Sequence, residues 1–282
     1  MWKNSVKTAV LLTLFGGLFM AIGSLFGTGG LILGLLIGLV FVGGSYWFSD
    51  TLAVKSARAE PVTEAQAPQL YAIVRDLTTR AGMPMPKLYI SSAQQPNAFA
   101  TGRNPEHAAV AVTQGLLQVV SEDELRGVLA HEISHVRHRD ILISSVAAAL
   151  AMGIMFVARI AMFGAIFGGG DDENDNVFGA LLLAVLAPIA AILLQAALSR
   201  SREYEADRGG AELMGTGEPL ASALQKIEAY ANQVPMNVDP AHASLFIVNP
   251  LTGQKVRFKN LFTTHPPTAE RIARLRTYAP RA

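Results

Sequence analysis

A mainly α-helical membrane protein, with about four transmembrane helices and a soluble α+β part built on a small sheet, is the fold class this sequence predicts. Three observations carry it. Charged residues are 16% of the 282 positions against roughly 25% in soluble proteins, hydrophobic residues are 51%, and the mean hydropathy is +0.33. The apolar residues gather into four long runs rather than spreading evenly. What remains is two polar blocks with apolar residues at helical spacing and a few short strand-like pieces.

The first two runs share a charge-free stretch from Thr8 to Ser49, broken only by Gly27-Thr28-Gly29-Gly30. A bilayer core about 30 Å thick takes roughly 20 apolar residues per helix. The stretch therefore predicts two spans, Thr8 to Phe26 and Leu31 to Phe48, joined by a tight turn and anchored at the interface by Trp47. Lys3 and Lys7 would also suit a signal peptide, but no small-x-small site followed by polar sequence is present, so the segment reads as an uncleaved anchor. A third run, Ile141 to Gly168, contains one charge, Arg159, read as snorkelling to an interface. The fourth extends from Val177 to Ser199, and the acidic stretch Asp171 to Asn176 between them is too polar for lipid. The alternative for this pair is a buried hairpin of a soluble domain; its length and lack of charge favour lipid.

Basic residues set the orientation. Lys3 and Lys7, Lys55 and Arg58, Arg137 and Arg139, and Arg200 and Arg202 flank the outer ends of the runs, whereas the two connecting turns are neutral and acidic. Both termini and the soluble material are expected on the cytoplasmic side. The organisation is then a membrane hairpin at 1–49, a first soluble part at 50–140, a second hairpin at 141–199 and a second soluble part at 200–282. Each soluble part is too small to bury much core alone, so the two are expected to pack into one domain.

In the soluble part, Glu64 to Ala81 spaces Leu70, Ile73, Val74 and Leu77 as a helix, stopped by Gly82. Strand-like pieces follow at Lys87 to Ile90, Asn97 to Ala100 and Ala108 to Thr113. Ser121 and Glu124 form a capping box that opens a helix running at least to His138. Arg200 to Leu213, Pro219 to Ala231 and Pro267 to Tyr278 are helical in character.

The absence of Cys removes thiolate catalysis, disulfides and Cys-based zinc sites, and a formal charge of +1 without a basic tail removes the electrostatic case for nucleic acid. Any metal must be held by His and carboxylate. Within the Ser121 helix stands His131-Glu132-Ile133-Ser134-His135, the H-E-x-x-H pattern. Residues four apart share a helical face, so two imidazoles can grip one zinc while Glu132 reaches a water as general base. A catalytic zinc site takes three protein ligands and one open position. The third could be His138, Asp140, Glu203, Glu205 or another His. The metzincin extension would need Gly at 138 and His at 141, where His138 and Ile141 stand. His138 lies about 10 Å along the axis from His131, so a carboxylate from another helix is preferred. Glu203 and Asp207 share one helical face, fit for one to bind metal and the other to fix a histidine tautomer, or else to form a solvated charged face with Arg200, Arg202 and Arg208.

With these residues in view, the chain resembles the HtpX-type membrane zinc endopeptidases, relatives of the CAAX prenyl proteases, over essentially its full length. The shared marks are His131 to His135, Ser-Arg-x-x-Glu-Tyr-x-Ala-Asp around Glu203 to Asp207, Asn97-Ala98-Phe99-Ala100, and Thr264-His265-Pro266 followed by Glu270-Arg271. The resemblance implies a gluzincin-like zincin domain with one zinc per chain. It makes Glu203 the third ligand and Asp207 the support behind a ligating histidine, with Asp140 a second candidate for that support. Asn97 to Ala100 then corresponds to the edge strand that an extended substrate would join. His265 and Arg271 are candidate transition-state or switch residues, with helix capping equally open for His265. His107 and His242 carry no motif and are expected on the surface or in packing.

The expected activity is zinc-dependent hydrolysis of peptide bonds in membrane or misfolded proteins at the cytoplasmic face of a bacterial inner membrane, in protein quality control or stress response. The metal helix leads straight into the third run and Glu203 follows the fourth, which puts the site beside the bilayer. The rivals are a prenyl-protein protease, which shares the zinc motifs, and a non-catalytic zinc-dependent membrane scaffold, against which Glu132 argues.

Overall fold

The structure is a computed structural model and describes residues 27–144, 200–233 and 266–279, with isolated positions before residue 27 and residues 146, 154 and 247. The expected first span, most of the third run, the fourth run with its acidic turn, His242 and His265 lie outside the described residues.

Helix α1 covers Gly27–Ser56, about 45 Å at 1.5 Å per residue. The Gly-rich stretch expected as a turn is part of this helix. Only its first residue departs, Gly27 at φ +78, a left-handed conformation that glycine adopts without a Cβ clash. Ile32, Leu36, Leu39 and Val40 are each more than half exposed, an apolar face that suits lipid rather than water. Among the described residues this is the one helix long and apolar enough to cross a bilayer, over Gly27–Phe48. Its last turns belong to the soluble part: Ala53 is buried in a small cluster with Phe99 and Ala111.

Of four strands, β1 Ala59–Pro61, β2 Lys87–Ser91, β3 Ala98–Gly102 and β4 Ala108–Thr113, the last three lie close to the expected sites. They form one sheet in the order β1-β2-β4-β3, in which β2 and β4 are parallel and the other pairs antiparallel. β1 went unpredicted because three residues are too few for alternation to show. Between β1 and β2 runs α2, Pro68–Ala81, which buries Leu70, Ile73, Val74 and Leu77 and ends at Gly82 with φ +65. A short helix α3, Gln114–Val119, also unpredicted, is capped by Thr113, whose side chain accepts from the Leu116 amide.

The centre of the core is α4, Glu122–Arg137, with the expected capping box from Ser121 and Glu124. Val128, Leu129 and Ile133 are fully buried, worth about 1.5–3 kcal/mol each on apolar burial. Three helices complete the described fold: α5 Arg200–Met214, α6 Glu218–Gln233 and α7 Thr268–Arg276. α5 and α6 pack on α4, so the two polar blocks of the sequence share one core. Glu124 ties α4 to α6: its carboxylate accepts from Ser222 Oγ at 2.6 Å and Lys226 Nζ at 2.7 Å as well as from the Ser121 amide. Those donors outweigh its burial and hold its pKa down to about 2.

Candidate active site

The site lies where α5 crosses α4. Two adjacent glycines set the crossing distance. A Cβ at Gly210 would stand 2.9 Å from the His131 amide nitrogen, and one at Gly209 would collide with Ser134 Oγ. Only helices without side chains at the contact come so near. The approach carries Glu203, on the first turn of α5, over the face of α4 that presents His131 and His135.

The three side chains converge. His131 Nε2 and His135 Nε2 are 3.2 Å apart, and the Glu203 carboxylate is 3.8 Å from the first and 3.6 Å from the second. A tetrahedral ion with bonds of about 2.0–2.1 Å separates its ligand atoms by about 3.4 Å. The donor set is thus nearly the size and shape that zinc needs before any side chain moves. Protonation leads to the same conclusion. His131 Nδ1 is 2.9 Å from Asp207 Oδ1, and His135 Nδ1 is 3.5 Å from Asp140 Oδ2. Each carboxylate stands on the Nδ1 side of its ring and favours a proton there. The two Nε2 atoms then face each other beside a carboxylate, an arrangement that a positive charge between them relieves, whether a proton or a metal ion.

The electrostatics agree. Burial, helped by the His135 charge, lowers the His131 pKa to about 4, although the Asp207 hydrogen bond opposes it. Burial also works against a charge on His135, but Asp140, Glu203 and Glu132 outweigh it and raise that group to about 9. One positive charge is therefore held among these ligands. Glu132, on the same helix, is raised to about 7, first by burial and next by the Glu203 charge. Its Oε2 accepts the Ala100 amide of β3 at 2.8 Å, which fixes the carboxyl group against the edge strand.

Behind these residues the charges are ordered. Asp207 is gripped by Arg271, through Nε at 2.9 Å and Nη2 at 2.7 Å, and the paired charges hold its pKa far below the usual carboxylate range against the effect of burial. Arg271 is 1% exposed and spends its remaining nitrogen, Nη1, on the Ile247 carbonyl at 3.0 Å. The sequence makes it a candidate transition-state or switch residue; the structure puts it behind Asp207. Asn97, expected along the substrate strand, precedes β3 and accepts the Ile247 amide on Oδ1, so residue 247 is pinned from both sides. Of the other strand positions, Ala98 faces the main core, Phe99 packs on the foot of α1, and Ala100 meets Glu132. Asp140 reaches back to His135 because Arg139 takes a left-handed turn at φ +58 after the end of α4.

The outlying candidates separate from the site. His138 caps the C-terminus of α4 and is exposed, and Glu205 is exposed on α5. His107 is an exposed residue of a short 3-10 turn whose amide bonds to Asn104. Two features escaped sequence reasoning. The Gly209-Gly210 pair was an available signal of close helix approach. Arg202, grouped with the solvated arginines, is 5% exposed.

Comparison with known proteins agrees with this geometry. The model of peptidase family M48 matches residues 64–279. The protease HtpX homologues of Burkholderia mallei (strain SAVP1) and Burkholderia pseudomallei (strain K96243) are each 51% identical over 278 residues, covering 96% of this chain and 96% of theirs. Among solved structures, the crystal structure of S. mikatae Ste24p superposes with a TM-score of 0.52 at 22% identity, covering 98% of this chain and 66% of that longer one, which shows a shared fold. With a family model spanning most of its length and relatives alike along nearly all of theirs, this chain belongs to peptidase family M48 and is a metalloprotease.

Proposed function

We propose that the chain is a zinc endopeptidase that cleaves membrane proteins and their misfolded segments at the cytoplasmic face of a bacterial inner membrane, as part of protein quality control. His131, His135 and Glu203 would hold one zinc, with Asp207 and Asp140 orienting the two imidazoles. When bound, the metal supplies Lewis-acid polarisation of the scissile carbonyl and a lowered pKa for the attacking water. Glu132 takes the proton of that water and passes it to the leaving amine. Burial raises the pKa of this carboxyl group above the usual range, which favours its accepting a proton. Among the described residues β3 is an edge strand, the place where an extended segment could add by backbone pairing.

The observation that carries the proposal is the convergence of three side chains able to hold a metal next to Glu132, a carboxylate hydrogen-bonded to a strand that packs against the foot of a membrane-length helix. Trp47 near the end of that apolar stretch lies under the Arg103 guanidinium, 4.7 Å from the ring centroid, a pairing suited to the headgroup level. The test is cleavage of a membrane-protein substrate by the full chain in vesicles. Chelator-sensitive cleavage of its cytosolic loops is the expected result. Cleavage of soluble peptides alone would overturn the substrate assignment.

A further inference from the structure

Helix α1 and strand β3 touch at two levels. Near the end of the apolar stretch the Arg103 guanidinium lies over Trp47, 4.7 Å from the ring centroid. Six residues further along the helix, about 9 Å at 1.5 Å per residue, Ala53 packs with Phe99. On the strand side the same two contacts are four residues apart, about 13 Å of extended chain. β3 therefore runs antiparallel to α1, and its C-terminal end comes down to the level of Trp47.

That end is built to hold its place. A Cβ at Gly102, φ +129, would collide with the His107 carbonyl oxygen, so the chain turns back closely onto β4, where Gly102 pairs with Ala108. Asn104 Oδ1 accepts the His107 amide at 2.9 Å and closes the turn that carries Arg103. Trp47 and Phe48 are 58% and 61% exposed, two large rings where the membrane-length stretch ends. Tryptophan gathers at the headgroup level of a bilayer, and a guanidinium beside it meets lipid phosphate there.

With Trp47 at the boundary, the height of the reacting groups can be worked out. Ala100, whose amide holds Glu132 at 2.8 Å, stands three residues before Arg103, about 10 Å along the strand. Scaled by the tilt that the two contacts require, it lies about 7 Å above the boundary. An extended segment beside β3 advances at the same pitch, so about three residues join the bilayer surface to a peptide bond in front of Glu132. A segment anchored at one end reaches its highest effective concentration where the tether matches the span, and longer tethers lose it.

We propose that Arg103 on Trp47 is a specificity determinant that sets where substrates are cut: in extended juxtamembrane segments, about three to five residues outside the bilayer, at a position fixed by the membrane boundary rather than by the residues flanking the bond. The proposal rests on the reading of the chain as a membrane-anchored endopeptidase with Glu132 as its base. A helix that continues straight out of the lipid keeps its backbone groups for itself and cannot join β3. The substrate class is therefore membrane proteins whose helix ends, or has unravelled, at the surface.

The test reconstitutes the full chain in vesicles with a single-span substrate bearing an unstructured cytosolic tail, and the cut bond is mapped by mass spectrometry. Flexible inserts of two lengths are then placed between the span and the original cut bond. The cut is expected to stay about three to five residues from the span and so to fall at a new bond in each substrate. A cut that moves outward with its original sequence overturns this proposal and leaves the endopeptidase reading standing. Loss of chelator-sensitive cleavage of every anchored substrate overturns that reading and the proposal with it. Arg103→Ala supplies a second arm. It should lower the yield at the preferred bond about two- to fivefold, the weight of one exposed cation–π contact, and spread products over neighbouring bonds. Its kcat/KM for an unanchored peptide should be parental. An unchanged product distribution, or an equal loss on the unanchored peptide, would overturn the role of Arg103.

Discussion

Replacing Gly210 with alanine adds a methyl group 2.9 Å from the His131 amide nitrogen and 3.2 Å from both the Ala130 carbonyl carbon and His131 Cα. All three are backbone atoms of α4 and cannot rotate out of the way. Ordinary contact begins near 3.4 Å, so α5 must retreat by about half an ångström. Glu203 stands two helical turns away on the same rigid helix, so the retreat reaches the carboxylate that is 3.6 Å from His135 Nε2 and 3.8 Å from His131 Nε2. Metal–ligand distances tolerate only about 0.2 Å, and a third ligand pulled beyond that is lost or strained. Overpacking costs about 1–3 kcal/mol, while alanine returns about 1 kcal/mol of helix propensity, so the net loss of stability is small, about 0–2 kcal/mol. Metal affinity, in contrast, should fall by a factor of ten or more. Equilibrium dialysis against buffered zinc measures it, with Gly44→Ala as control, because a Cβ there meets nothing within 4 Å. A folded Gly210→Ala protein with parental zinc affinity would refute the argument that the helix crossing sets the metal geometry.

Three further outcomes follow from the same charges. Glu132→Gln should keep parental zinc content and lose at least about 10²-fold in turnover in a peptidase assay, since the amide cannot accept the water proton. Below pH 9 the binding metal must displace the proton that Asp140 and Glu203 keep on His135, so zinc affinity should climb about tenfold per unit between pH 7 and 9 and level off above. A flat profile by chelator competition over that window would contradict a protonated His135. Arg271→Met leaves the Asp207 carboxylate buried without its bidentate partner and should lower stability by about 3–5 kcal/mol in denaturant unfolding.

How far the sequence was legible depends on whether a feature is local. His131, Glu132 and His135 could be read at once because the 3.6-residue repeat brings them to one face whatever surrounds the helix. The capping box at Ser121, the stop at Gly82 and the β4 strand were equally local. The pairing of Glu203 with these histidines is a property of two helices, and spacing alone left it open; resemblance closed it. Asp140 lay five residues from His135, and its return depends on the left-handed turn at Arg139. The burial of Arg202 was hidden for the same reason. In one dimension a cation beside Arg200 and Arg208 looks like part of a solvated face, and only the packing of α5 against the rest of the molecule puts it inside.

The position of β3 explains why a membrane helix and a protease site belong to one unit. Among the described strands it pairs with β4 alone and lies at the edge of the sheet. Alternation along the strand then sends Phe99 to Ala53 at the foot of α1 and to Ala111 of β4, while the next residue, Ala100, gives its amide to Glu132. One residue step therefore separates the packing of the apolar helix from the group expected to move the proton. A shift of α1 relative to the sheet would displace Phe99 and, through a continuous backbone, the amide that orients Glu132. Phe99→Ala removes that contact without touching the metal ligands. It should lower turnover while zinc affinity stays parental, a split that simple damage to the metal site could not produce.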